Sequence, residues 1–259
     1  MIEVKSLKFS YNDHSVLKGI SFIVKNNEIL GILGPNGSGK TTLLNLIGGI
    51  LKKKEGEILI NGKKIENYSR KELARIMAFV PQDTSTAFDF NVFEIVSMGR
   101  YPHLGIMDSL TEKDKNIIIE ALKKTEIYDL RNKSTRQISG GERQRVFIAR
   151  AIAQDPEIIL LDEPTSNLDI KYQIEILDII ERMRSQGKTI LMSMHDVNLA
   201  VRYCTKIALI HNGNILAFGE PENVINEKNI EIAYGIKGKI IRNGGEKIAY
   251  ILPEKFNGF

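Results

Sequence analysis

The 259-residue sequence predicts an α/β fold in which short buried strands carry loops at their carboxyl ends and helices follow the loops. Three observations predict it. An apolar run over 28–33 passes into a glycine-rich turn over 34–41 and then into a helix-like stretch over 42–47. A second apolar run, 158–161, ends in two acids, Asp162 and Glu163. Two Asn-Gly pairs, Asn61-Gly62 and Asn212-Gly213, each follow apolar alternation, which is the signal of a tight hairpin.

Composition narrows the function classes. Apolar residues make up 42% of the chain, enough for a sizeable core. No apolar run approaches the roughly 18 residues of a membrane helix. The stretch Met1-Ile2-Glu3-Val4-Lys5 lacks the apolar segment of a secretory leader. The single cysteine, Cys204, forms no internal disulfide, fits a reducing compartment, and is expected to pack as a small hydrophobe on an apolar helix face. Net charge is +4 with both signs interspersed, and the densest basic run, Lys52-Lys53-Lys54, is followed at once by Glu55 and Glu57. With no tryptophan and 7% aromatics there is no stacking platform for bases, so no nucleic-acid partner is expected.

The elements fall in order along the chain. Buried strands are expected over 76–80, 157–161 and 189–193. Thr111-Glu112-Lys113-Asp114 reads as a capping box that opens a helix running to Lys124, with Ile117, Ile118, Ala121 and Leu122 on one face. A further helix starts after Ser139 and runs to about Gln154. Residues from about 85 to 152 therefore read as a helical insertion in a strand-rich core. Beyond Gly219, a short helix over 222–232 and a hairpin around Asn243-Gly244-Gly245 make an appendage spanning 220–259.

The turn Gly34-Pro35-Asn36-Gly37-Ser38-Gly39-Lys40-Thr41 matches the phosphate-binding pattern G-x-x-x-x-G-K-[ST], with strand before and helix after. Its glycines let backbone N–H groups converge on one point, and the helix N-terminus adds positive potential there. Lys40 then reaches the β- and γ-phosphates, and the Thr41 hydroxyl can hold Mg²⁺. Asp162 leaves the carboxyl end of a strand, where open α/β sheets bind ligands, and is placed to hold Mg²⁺ directly or through water. Glu163, one residue on, can polarise an attacking water as general base. Gln82, at another strand end, can bind the metal or that water. His195 ends the strand over 189–194 and can orient the water from the γ-phosphate, while Asp196 caps the next helix. His14, His103 and His211 read as ordinary surface or loop residues.

Ser139-Gly140-Gly141-Glu142 is the unusual segment. Capping rules explain its serine and glutamate but not its paired glycines, which weaken a helix. Two glycines at a helix start suit close backbone approach to an anion. A second phosphate-cradling element makes sense if it covers a nucleotide held by another copy of the chain.

In order, the phosphate loop, Gln82, Ile138-Ser139-Gly140-Gly141-Glu142, Asp162-Glu163, Ser166-Asn167-Leu168-Asp169 and His195 resemble the ATP-binding subunit of ABC (ATP-binding cassette) transporters over about residues 2–219. The resemblance implies a P-loop ATPase core of ABC type, with an antiparallel β subdomain and a helical subdomain inserted between the Gln82 loop and the strand ending in Asp162. It implies a head-to-tail homodimer sandwiching two ATP molecules, each between one phosphate loop and the other subunit's Ser139, Gly140, Gly141 and Glu142. Tyr11 and Val16 match the adenine-stacking position, Thr42 completes the nucleotide-binding set, and Asp169 matches the loop linking the two sites. Mg²⁺ is implied at Thr41, Gln82 and Asp162. The chain departs from the family in having Glu142 where Gln is usual and Ile138 where Leu is usual.

Within the family, the stretch from Phe88 to His103, with Met98-Gly99-Arg100 and Pro102-His103, resembles importer ATPases for iron-siderophore, haem and cobalamin, as do Met194 to Asn198 and the tail from Pro221 to Tyr234. Molybdate and tungstate importers share parts of it. The resemblance implies permease partners in the membrane, an extracytoplasmic substrate-binding protein beyond them, and a place at the cytoplasmic face. The alternatives are less well matched. DNA-repair members carry long coiled-coil heptads, translation members carry two cassettes, and the Arg100 region argues against an assembly-type ATPase or an exporter.

Overall fold

The computed structural model describes residues 1–86, 88–105, 107–242 and 249–253. Contacts divide the chain into two compact units, residues 1–65 with 189–259 and residues 66–188. In chain order the elements are β1 (Ile2–Tyr11), β2 (His14–Val24), β3 (Ile29–Leu33), α1 (Lys40–Ile47), β4 (Glu55–Ile60), β5 (Lys63–Lys64), α2 (Arg70–Ile76), β6 (Met77–Val80), α3 (Val92–Ser97), α4 (Glu112–Lys124), α5 (Gly140–Ala153), β7 (Ile158–Leu161) and α6 (Ile170–Ser185). There follow β8 (Thr189–Ser193), α7 (Val197–Tyr203), β9 (Lys206–His211), β10 (Asn214–Gly219), α8 (Pro221–Val224), α9 (Glu227–Tyr234), β11 (Gly238–Arg242) and β12 (Ala249–Pro253).

Among its described residues, the first unit holds strands of three sheets, of which the small β11–β12 pair is one. β2-β1-β4-β5 is antiparallel throughout, and its β4–β5 hairpin turns on Asn61 and Gly62 at φ of 50° and 79°. Both residues take the positive φ that a two-residue hairpin demands. In the second sheet β3 lies between β8 and β9, parallel to both, and β10 pairs antiparallel with β9 through Asn212 and Gly213. All five residues of β3 are buried, as a strand covered on both faces requires. α1 packs Leu43, Leu44, Leu46 and Ile47 into the same core.

Several expectations are corrected here. The helix expected over 222–232 is two helices. The Asn226 side chain accepts the Asn229 N–H (2.9 Å), and Asn229 Nδ2 donates to the Val224 carbonyl (2.8 Å), so one pair of amides ends α8 and opens α9. Cys204 follows α7 as its C-cap rather than lying on a helix face. It is buried against Gly31, where an added Cβ would lie 2.6 Å from the Cys204 Sγ, and burial pushes its thiol pKa above the usual thiol range. His103 and His211 are half-buried rather than ordinary surface residues. The His103 Nε2 bonds the Gln154 carbonyl at 2.9 Å, and His211 ends β9 beside the Asn212 amide at 2.9 Å. The hairpin expected around Asn243-Gly244-Gly245 lies outside the described residues, though β11 and β12 pair antiparallel on either side of it.

The second unit pairs β6 parallel with β7, from Met77 opposite Ile158 to Val80 opposite Leu161. α5 packs against α3 and α4. α4 begins with the expected capping box between Thr111 and Asp114 and buries Ile118, Ala121 and Leu122. Equivalent boxes, Ser69 with Glu72 and Asn91 with Glu94, open α2 and α3.

One buried ion pair ties three elements of this unit. Arg100, in the 3₁₀ turn Met98–His103, donates from Nε to Asp114 Oδ1 (2.9 Å) and from Nη1 to the Ala153 carbonyl (2.8 Å). Hydrogen bonds from Thr111, reinforced by Arg100, hold the Asp114 carboxyl at about 2, below its ordinary 3.8. The folded-state pKa is depressed, so this stabilisation is present above pH 3.8 and is lost as pH falls through about 2. Arg100→Met leaves Asp114 buried without its cation, and chemical denaturation should show a loss of about 3 kcal/mol. A loss below about 1 kcal/mol would mean the pair contributes little. The acid limb of the wild-type stability curve should flatten in the variant.

Candidate functional site

The first unit carries the phosphate loop. β3 ends at Leu33 and the chain turns sharply at Gly34, whose φ is 149°. An added Cβ there would lie 2.2 Å from the Ile210 carbonyl oxygen and 2.8 Å from Ser38 Oγ, so only glycine fits. Gly39, at φ 104°, is the N-cap of α1, and a Cβ there would meet Leu17 at 2.7 Å and Val16 at 3.2 Å. Thus β2 is pressed directly against the end of the loop.

No side chain caps α1, and its first turn holds no acid. A helix start left this way is suited to an anion. Lys40 is buried and curls back on the loop, donating from Nζ to the carbonyls of Gly34 (2.9 Å) and Pro35 (3.2 Å). The Ser38 hydroxyl is buried and has no partner among the described residues. An orphaned buried hydroxyl costs about 1–3 kcal/mol unless a ligand satisfies it. Pro35 and Asn36 form the outer rim with Gly37, which has φ 77° and open space at its Cβ position. Thr41 is exposed and Thr42 is buried beneath it.

Tyr11 ends β1 with its ring edge-on to Phe9, 4.9 Å between centroids, and remains 47% exposed. A half-exposed aromatic face is what a stacking base needs. Val16 touches the loop itself through Gly39. His195 follows β8, which runs parallel to β3, and the Met194 N–H bonds the Ile32 carbonyl (3.0 Å). His195 is therefore exposed at the same strand ends as the phosphate loop.

The second unit carries the acids. β6 and β7 finish together, and the Asp162 N–H bonds the Val80 carbonyl (2.9 Å), one step past the last ladder pair. Asp162 is 3% exposed at this strand end. Glu163 takes φ 49°, a left-handed turn that swings its side chain off the strand line, and its Oε2 accepts the Gln82 Nε2 proton at 2.7 Å. The structure thus brings Gln82, Asp162 and Glu163 to one end of a parallel strand pair. The Gln82 amide nitrogen is engaged by Glu163, which leaves its amide oxygen as an acceptor. With the Asp162 carboxylate, that gives two hard oxygen donors of the kind Mg²⁺ takes.

Ser139 opens α5 through a full capping box. Its hydroxyl accepts the Glu142 N–H (3.2 Å), and the Glu142 carboxylate accepts the Ser139 N–H (2.7 Å). This backbone hydrogen bond keeps the Glu142 carboxyl below its usual range and ionised. The two glycines differ in their surroundings. Gly140 has open space where a Cβ would go, so its bareness leaves an approachable surface. Gly141 is buried, and a Cβ there would press on the Tyr172 ring at 3.0 Å. Asp169 is the exposed N-cap residue of α6, and its side chain makes no cap bond.

Sequence reasoning missed Tyr172 and Arg145. Arg145 is buried on α5, lies 5.9 Å from the Tyr172 ring centroid, pairs with Glu175 of α6 and donates to the Thr125 carbonyl (3.4 Å). These contacts fix α5 to α6, yet neither residue belongs to a motif, and only their spatial meeting reveals them.

A glycine-built phosphate loop, a buried lysine on it and two acids at a strand end define a phosphate-loop ATPase. Residues 17–166 match the ABC transporter family, and the chain belongs to it. It is 40% identical to the ABC transporter ATP-binding protein YvrA of Bacillus subtilis, over 98% of this chain and 58% of that protein. It is 37% identical to the petrobactin import ATP-binding protein FpuD of Bacillus anthracis, over 92% of this chain and 88% of that one. Among solved structures it resembles an inward-facing ABC transporter described as of metal-chelate type, with a TM-score of 0.86, 30% identity and 98% of each chain covered. The chain is an ATP-binding, ATP-hydrolysing cassette of this family.

Ser38 supplies a test with two opposite signs. Ser38→Ala removes an unsatisfied buried hydroxyl, so the melting temperature without nucleotide should hold or rise slightly. The additional rise on adding ATP should shrink. Equal loss of both would show that Ser38 is structural rather than a ligand donor.

Proposed function

We propose that this chain is the motor subunit of an ABC importer, working as a head-to-tail homodimer at the cytoplasmic face of a membrane. ATP is held between the phosphate loop of one copy and Ser139, Gly140, Gly141 and Glu142 of the other, and hydrolysis drives uptake of a metal chelate through a permease. The observation that supports the dimer is the exposed Ser139-Gly140 edge of α5, with open space where a Gly140 Cβ would go. One copy already has a phosphate loop with an orphaned Ser38, and its Ser139-Gly140 edge still presents a capped, unobstructed helix start.

The residues divide the work. Tyr11 and Val16 receive adenine. The loop over 34–39 with Lys40 and Thr42 holds the phosphates. Thr41, Gln82 and Asp162 are the residues that would hold Mg²⁺, whose charge would offset that of the phosphates. Glu163 accepts a proton from the attacking water, and the Gln82 amide bonded to it keeps its carboxylate aimed. His195 steadies the γ-phosphate, and Asp169 links the two sites. The domain plan follows: a cassette over 1–219 with a helical subdomain over about 85–152, and an appendage over 220–259.

Import of a metal chelate is supported by the likeness to the petrobactin import protein and to the metal-chelate type transporter. Docking to a permease is supported by large apolar side chains left in water in one segment: Phe88 at 72%, Tyr101 at 59% and Met107 at 95% exposure. Among the described residues no helix is long and apolar enough to cross a membrane, so on this reading the pore belongs to partner chains. An extracytoplasmic binding protein would deliver the chelate to them.

Ser139→Arg places a charged, bulky side chain on the edge assigned to the partner's nucleotide. ATP hydrolysis by the purified chain should fall to background while each monomer still binds a fluorescent ATP analogue with unchanged affinity. Loss of monomer binding in that variant would place Ser139 in its own chain's site instead and overturn the sandwich.

A further inference from the structure

The segment joining β7 to α6 carries Glu163 at its start and Asp169 at its end, and its conformation is costly. Two of its non-glycine residues are left-handed, Glu163 at φ 49° and Asn167 at φ 58°. Asparagine visits this region readily, whereas glutamate there is strained. The Ser166 N–H closes a turn on the Glu163 carbonyl (3.1 Å), and Pro164 and Thr165 are buried, so the segment is not a loose surface loop.

The side chain that holds it comes from α6. Gln173 lies one turn inside the helix, its own N–H bonding the Asp169 carbonyl (3.0 Å). Its Nε2 reaches back to donate to the Leu168 carbonyl (2.9 Å) and the Thr165 carbonyl (3.3 Å). Both partners are acceptors, so only the NH₂ end of the amide can face them. One amide therefore bridges two carbonyls three residues apart, between the two functional acids. Gln82 meets Glu163 from the other side (2.7 Å).

We infer that Gln173 is a positioning residue: its amide latches the Glu163–Asp169 segment so that Glu163 and Asp169 are held in fixed relation, setting the rate of hydrolysis rather than the affinity for nucleotide. The inference rests on the roles given above to Glu163 and Asp169. It is a separate claim from them, because the latch is a property of the segment's backbone.

Two substitutions test it in the full chain. Gln173→Met keeps length and volume but donates nothing. Gln173→Glu keeps the shape but turns a carboxylate toward two carbonyls. For Gln173→Met, kcat should fall about tenfold or more with KM for ATP within about twofold of wild type, as expected when a reacting group is displaced slightly. Gln173→Glu should lose more at pH 8, and its kcat relative to wild type should recover as pH falls, because the protonated acid can donate again. Hydrogen exchange of residues 163–169 should quicken in Gln173→Met while that of β7 stays unchanged. A kcat within twofold of wild type in both variants would overturn the inference, as would unchanged exchange in the segment. A parallel collapse of kcat, KM and melting temperature would overturn it too, since that is a general structural role. Failure of the Glu163 assignment shows differently: Glu163→Gln would hydrolyse ATP at the wild-type rate while the exchange result stood.

Discussion

The close backbone contact where β3 ends governs the site. At Gly34 the chain must leave a fully buried parallel strand and reverse within a few residues into α1. It does so against the Ile210 carbonyl of β9, with room for no side chain at all. That contact lets β9 stay paired with β3 up to Leu33 while the loop opens beyond it. It also brings the Gly34 and Pro35 carbonyls under the Lys40 ammonium and leaves the Ser38 hydroxyl buried without a hydrogen-bond partner among the described residues. Without a ligand, the loop thus stores polar groups in arrangements that a phosphate completes better than the protein does. An anion can take the lysine, the uncapped helix start and the orphaned hydroxyl together. Binding then gains from three groups whose desolvation was already met in folding.

The acids follow a complementary rule. Asp162 and Glu163 are neighbours in sequence, yet the left-handed turn at Glu163 separates their tasks. Asp162 continues the strand line and stays buried, while Glu163 turns aside to meet Gln82. An acid at the end of a parallel strand is well placed for a cation, and one that is half-buried and hydrogen-bonded by an amide is well placed to take a proton. The same segment then passes to Asp169, so the acid proposed as general base and the residue proposed to link the two sites share one short stretch of backbone. A motor needs chemistry and conformational change to be linked in this way.

Much of this could be read from the sequence because it is local. The capping boxes at Thr111 and Ser139, the Asn61-Gly62 and Asn212-Gly213 hairpins, the phosphate loop and the acid-ended strand are each set by a few adjacent residues, and all appear as expected. What could not be read is what depends on meetings across the fold. Gly141 packs tightly under Tyr172, thirty-one positions away, and nothing near it in sequence says so. His103 faces the Gln154 carbonyl at the end of α5, and Cys204 faces Gly31 of β3. The split at Asn226 is visible in principle, since asparagine caps helices, but the expectation of one helix over 222–232 overlooks it. Gln173 sits on a helix face among residues of mixed character and resembles any solvated glutamine until its two carbonyl partners are seen.

The central claim is that nucleotide joins two copies of this chain through the phosphate loop of one and the Ser139 edge of the other. Its most direct test is the mass in solution of the Glu163→Gln variant, which should bind ATP but turn it over too slowly to fall apart. Light scattering should give the 29.2 kDa monomer without nucleotide and twice that mass with saturating ATP and Mg²⁺, reverting to monomer when Ser139→Arg is added. A variant that binds ATP yet stays monomeric at every concentration tested would contradict the account.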